Sequence, residues 1–193
     1  MGVEKDSSGR RWVEVSREVA GTQEEVWAAI ATAEGISAWF VPTDAEMGPA
    51  GYPIRMISHF SDDGTMDSVA DVLEWDGPNK FVSTSQDLGK NAPEVQTEWG
   101  VRPLSGSTST VYVRHSLATE SDEWDEHLDA WEGGWPWFFN VLSLYLLHFR
   151  GQPSAAFRAM GVAPQPTWDA WDELANAIGL GDAEVGSSVS APD

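Results

Sequence analysis

Residues 121–149 read SDEWDEHLDAWEGGWPWFFNVLSLYLLHF, and the spacing of their large apolar side chains decides the fold. Trp124, Leu128, Trp131, Trp135, Phe138, Leu142, Tyr145 and Phe149 follow one another at intervals of 4, 3, 4, 3, 4, 3 and 4 residues. That period belongs to one face of an α-helix about seven turns long, with the face deeply buried. Ser121 stands where an N-cap is wanted, and Asp122 and Glu123 put negative charge at the positive end of the helix dipole. Gly133, Gly134 and Pro136 interrupt the pattern; Pro136 has no N–H for the carbonyl of Glu132, which predicts a kink or a split there. The most apolar part, Trp135 to Phe149, has 15 residues and contains Pro136, Asn140, Ser143 and His148. A membrane span needs about 20 largely apolar residues, so this reads as a buried helix and no membrane span is expected.

Upstream, the punctuation is that of strands. Asp63-Gly64, Asp76-Gly77-Pro78-Asn79, Leu88-Gly89-Lys90-Asn91 and Leu104-Ser105-Gly106 separate β-rich segments at about 52–60, 65–75, 80–86, 94–102 and 108–117. Strands joined in sequence order by tight turns form an antiparallel meander. In the last two, Val95, Thr97, Trp99 and Val101, and Val111, Val113, His115 and Leu117, alternate with polar neighbours and are assigned to the core face. A first strand at 11–19 and a helix at 23–34 precede the meander. The helix begins in the capping box Thr22-Gln23-Glu24-Glu25 and is followed by a short turn, Ile36 to Phe40. Downstream, a helical turn near 154–160, a link through Pro164 and Pro166, and a helix capped by Thr167 and stopped at Gly179 are expected. Trp168, Trp171, Leu174 and Ile178 form that helix's apolar side. The division is then a flexible tail at 1–10, a domain at 11–150, a helical extension at 151–180 and a disordered, acidic tail at 181–193.

Composition narrows the function classes. Eleven basic residues stand against 31 acidic ones, a formal net charge of −20, which repels phosphate backbones; no nucleic acid partner is expected. The absence of cysteine excludes disulfides and thiolate chemistry and suits a reducing cytosol. The polar start MGVEKDSSGRR lacks the apolar stretch of a signal peptide, and a cytoplasmic location is expected.

The order strand, capped helix, Trp-Phe turn, meander and long helix resembles the START-like SRPBCC superfamily with its helix-grip fold. More narrowly, it is similar to the bacterial relatives of the heat-shock-protein-90 ATPase activator. The resemblance is carried by Glu24-Glu25-Val26-Trp27, Ile36-Ser37-Ala38-Trp39-Phe40, the run from Val72 to Val82, and Gly134-Trp135 with Leu142. It implies an α+β domain whose seven-stranded antiparallel sheet wraps around the last helix, with a cavity between them. It implies no particular reaction, because members of the superfamily bind lipids, hormones or polyketides and only some are enzymes.

Within that frame, the 11 tryptophans and their placement suggest a cavity suited to planar or apolar ligands. Trp39, Phe40, Trp99, Val113, His115, Trp131, Trp135, Phe138 and Leu142 are its expected lining; the plainer alternative is that the rings fill the core. His115 is the single catalytic candidate, since an inward imidazole can serve as a general base, although a satisfied core or cavity-edge histidine is the favoured reading. His59 reads as a turn-side residue. Glu123 and His127 are four apart on one helix face, yet a solvated acidic first turn accounts for them, and neither a metal nor another cofactor is expected. Gly133-Gly134 suggests close backbone packing or room for a ligand beside the helix. The leading reading is a binding module for a small hydrophobic or aromatic molecule. A polyketide-type cyclase or hydrolase using the same cavity, and a co-chaperone or protein-interaction module, are the alternatives; a homodimer stays open.

Overall fold

The computed structural model describes residues 2–152, 154, 166–181, 183–184 and 186–187. The chain divides into two compact units, Met1–Arg158 and Ala159–Asp193. The helical turn expected near 154–160, the link at 163–165 and the last residues, 188–193, lie outside the described residues.

The first unit is α+β. Eight strands form one open antiparallel sheet: β1 (Glu4–Lys5), β2 (Arg11–Ala20), β3 (Thr43–Met47), β4 (Pro53–Ser58), β5 (Ser68–Asp76), β6 (Lys80–Ser85), β7 (Val95–Pro103) and β8 (Thr108–Leu117), in the order β1-β2-β8-β7-β6-β5-β4-β3. The count exceeds the expected seven because Glu4–Lys5, inside the stretch read as a tail, pairs with Arg11 and Trp12. The five meander strands fall where their turns predict. Strands β1 and β3 have no apolar alternation to reveal them, because both lie at sheet edges and bury little.

Between β2 and β3, α1 (Gln23–Ala31) starts on the expected capping box: the Glu25 amide donates to Thr22 Oγ1 (3.3 Å) and the Thr22 amide to Glu25 Oε2 (2.8 Å). The helix ends earlier than expected. Thr32 leaves helical geometry and accepts from the Gly35 amide at 3.0 Å, capping a separate α2 (Ala33–Ser37).

The long helix α3 (Asp125–Leu144) runs through Gly133, Gly134 and Pro136 as one element, so the expected split does not occur. Anchors on both sides of the proline explain this: Leu128 before it and Phe139 and Leu142 after it are fully buried, and their packing outweighs one missing backbone hydrogen bond. The helix begins three residues later than predicted, at Trp124, with no side-chain cap; Ser121 Oγ instead accepts weakly from Glu123 (3.4 Å). Arg11 of β2 forms an ion pair with Asp125 and ties this first turn to the sheet. The apolar stripe also needs correction, since the buried positions are Leu128, Trp135, Phe139, Leu142 and Leu146, while Phe149 is 56% exposed. A π-helical turn (Tyr145–Phe149) widens the end of the helix and rotates Phe149 off the face. Gly133 and Gly134 are not close-packing sites, because a Cβ on either meets nothing within 4 Å among the described residues.

Helix α3 lies mainly on β2 and β8, and α1 covers β7 and β8. The main core sits between these helices and the sheet, with Val26, Ile30, Val111, Val113, Phe139 and Leu142 at its centre. Much of the inner surface of β5 and β7 receives less cover: Ala70, Val72, Thr97 and Trp99 are only partly buried.

In the second unit, α4 (Thr167–Ala177) starts at Pro166 with no side-chain cap, so Thr167 is its first residue and not its cap. It stops at Gly179, whose φ of 78° and neighbouring Leu180 N–H to Ala175 C=O bond form the expected glycine C-terminus.

Candidate functional site

Alternation on β7 and β8 turns Trp99, Val113 and His115 towards α3, and antiparallel register sets Trp99 beside Val113 and Thr97 beside His115. Helical spacing on α3 brings Trp131, Trp135, Phe138 and Leu142 down onto them. The turn after α2 adds Trp39 and Phe40. All nine residues named from the sequence therefore meet in the first unit.

They meet ring to ring. Trp135 packs edge-on to Trp99 at 4.9 Å between centroids, Phe40 lies 4.8 Å from Phe138 and 5.5 Å from Trp135, and Trp39 lies 6.4 Å from Trp99. Trp39 also donates its indole N–H to the Ala29 carbonyl (2.9 Å), which fastens this ring to α1. Val113 and Leu142 are fully buried core, whereas Phe40, Trp99, Trp131 and Phe138 keep partial exposure. The inner space is thus occupied by the protein's own side chains, with four half-buried rings at its open side. Phe60, which the sequence reading did not single out, joins them 5.7 Å from Phe40.

At the centre, Trp135 Nε1 donates to His115 Nε2 (2.7 Å), and His115 Nδ1 lies 2.9 Å from Thr97 Oγ1. An indole N–H can only donate, so His115 Nε2 must be the acceptor and Nδ1 carries the proton, which it gives to Thr97. Burial pushes the His115 pKa down to about 4, keeping the ring neutral at ordinary pH. Both ring nitrogens are committed. This imidazole has no lone pair left over for a substrate proton, and no carboxylate is among its hydrogen-bond partners.

A concavity of about 510 Å³ opens on the opposite face of the sheet, lined by Trp12, Val82, Gln96, Glu98, Arg114 and neighbours; none of the nine expected residues borders it. Its polar groups largely satisfy one another: Arg114 donates to Glu14 (3.0 Å), Tyr112 to Glu98 (2.9 Å), and Arg10 to Gln96. Burial and the Glu98 carboxylate push the Tyr112 pKa up to about 12. With its polar groups so engaged, this face is the weaker candidate.

An antiparallel sheet gripping one long helix defines the START-like helix-grip class. Residues 20–146, about two-thirds of the chain, match the family described as activator of Hsp90 ATPase homolog 1-like protein, and the chain belongs to that family. Solved structures similar to it include CalU16 from Micromonospora echinospora, at 16% identity over 75% of this chain and 82% of that one, with a TM-score of 0.56. DynU16, from the dynemicin biosynthetic locus, shows 22% identity over 72% of this chain with a TM-score of 0.58; the match covers 48% of DynU16, about half its length. A START superfamily protein from Mycobacterium smegmatis aligns over 70% of this chain and 97% of its own at 12% identity and a TM-score of 0.55. Likeness at these identities is likeness of fold. No curated protein matches the chain. Among the described residues, no helix is long and apolar enough to cross a membrane.

Proposed function

We propose that the protein binds a small apolar or aromatic molecule between α3 and the inner face of β5–β7. The observation that carries this reading is the group of half-buried rings, Phe40, Phe60, Trp99, Trp131 and Phe138, gathered where the helix leaves the sheet partly uncovered. Exposed aromatic surface is costly in water, and a ligand of matching character relieves that cost. Space beside Gly134 on the same helix suits such a guest, because no atom of the described residues approaches its missing side chain. Entry requires the outer rings to turn aside, as side chains at binding surfaces commonly do.

Binding is favoured over catalysis because the one inward imidazole is already engaged at both nitrogens. The test is a thermal-shift and tryptophan-fluorescence screen of polycyclic aromatics, phenolics and fatty acids against the purified chain. Saturable quenching with a rise in melting temperature is expected from at least the planar aromatics. A flat response to every class would overturn the reading.

A further inference from the structure

On the inner sheet surface, where Arg11, Arg17, Ser85 and Ser109 are isolated polar positions, one row is polar across adjacent strands. Register places Val72, Ser83, Thr97, His115 and Val13 side by side across β5, β6, β7, β8 and β2. Ser83, Thr97 and His115 thus form a polar band three strands wide, running from the open side inward. The direction of its hydrogen bonds is determined from the inner end. Trp135 donates to His115, His115 donates to Thr97, and Thr97 Oγ1, having accepted, is left with its own hydrogen to give. Among the described residues nothing accepts that hydrogen, and Ser83, only 5% exposed, makes no side-chain hydrogen bond. Thr97 is half-buried, so its unused hydrogen faces the ring-lined opening, where a ligand acceptor can take the place of water.

We infer that Thr97, oriented by His115 and Trp135, is a specificity-determining donor that selects ligands carrying a hydrogen-bond-accepting oxygen, such as an aryl ketone or quinone, with Ser83 as a second hydroxyl beside it. The inference rests on the binding reading above and adds the polarity of the ligand. A chain of donors running one way polarises the terminal hydroxyl as a donor, which favours a carbonyl over an isosteric methylene. Ligands offering only a donor at that point gain nothing from it.

The probes are 9-fluorenone and fluorene, planar molecules of nearly equal size that differ by a carbonyl in place of a methylene. Titrated by tryptophan quenching, fluorenone is expected to bind roughly tenfold more tightly than fluorene to the unaltered protein, the worth of one buried hydrogen bond. Thr97→Val should abolish that ratio by weakening fluorenone alone, and Thr97→Ser, which keeps the hydroxyl, should restore it. The carbonyl stretch of bound fluorenone, read by infrared difference spectroscopy, should lie below its value in hexane. This last measurement needs no variant and decides the matter even if Thr97→Val fails to fold. Equal binding of the two probes, or an unshifted carbonyl band, would overturn the role of Thr97 while leaving ring-lined binding intact. Binding of neither probe would overturn both.

Discussion

Gly100 on β7 and Tyr112 on β8 are paired directly across the ladder, and the phenol ring of Tyr112 occupies the space where a side chain on residue 100 would stand. The ring has nowhere to go. It is 5% exposed, its hydroxyl donates to Glu98 at 2.9 Å, and the Arg102 guanidinium sits 4.1 Å above its centroid. Gly100→Ala should therefore cost about 1–3 kcal/mol by overpacking, measured by urea unfolding. Combining it with Tyr112→Ala should recover part of that loss, since the two changes act on one contact. A Gly100→Ala protein of unaltered stability would show that the ring moves freely.

His115 governs the acid side of the stability curve. Folded, it takes up a proton near pH 4; unfolded, near its ordinary 6.5. Between those values the unfolded chain holds more protons, so the contribution of this group is complete above about 6.5 and is lost as pH falls towards 4. For a shift of that size the loss approaches about 3 kcal/mol. Proton NMR of the His115 ring should show no titration above pH 5, and denaturant midpoints should fall over the same window. A ring titrating near 6.5 would mean that the Trp135 bond does not persist in solution.

His59 governs the alkaline side with the opposite sign. Its Nδ1 lies 2.8 Å from Asp67 Oδ2 and its Nε2 3.1 Å from Asp44 Oδ2, and hydrogen bonding to Asp67, then to Asp44, raises its pKa above 6.5. A raised pKa means that the stabilisation is fully present below 6.5 and disappears as pH climbs through the higher folded value. The advantage of the unaltered protein over His59→Gln should shrink across that rise. It should also shrink in 1 M salt, because the site is partly exposed. The histidine anchors the segment that carries Phe60, so the same variant should loosen the ring cluster at its edge.

The two faces of the sheet predict different outcomes for two tryptophans. Trp99 belongs to the inner cluster and Trp12 to the outer concavity. Trp99→Ala should weaken 9-fluorenone binding by about tenfold or more, whereas Trp12→Ala should leave it near the original value. The reverse order of effects would move the binding site to the outer face.

Much of this architecture was legible before any coordinates. The Thr22/Glu25 capping box is a contact between residues three apart, and the alternation in β7 and β8 that turns Trp99 and His115 inward is local as well. Such features depend on spacing alone. Thr97 lies on the same alternation and was readable as inward; its role was hidden because a threonine in a strand is an ordinary residue until its partner is known. The separate α2, by contrast, escaped notice because Thr32 reads as a helix-interior residue unless Gly35 is seen to be its capping partner.

Sequence by itself determined the resemblance to the family, the antiparallel meander from β4 to β8, the inner and outer faces of β7 and β8, and most of the rings that gather under α3. The tertiary structure decided whether α3 survives Pro136, which ring nitrogen of His115 carries the proton, and how far the rings fill their own interior. The reason is physical. Periodicity states which side of an element is apolar, but the Trp135–His115 bond joins residues 20 apart on different elements, and its existence depends on where the helix comes to rest on the sheet. Packing of Leu128, Phe139 and Leu142 determines that position, and with it the direction of every hydrogen bond from Trp135 to Thr97.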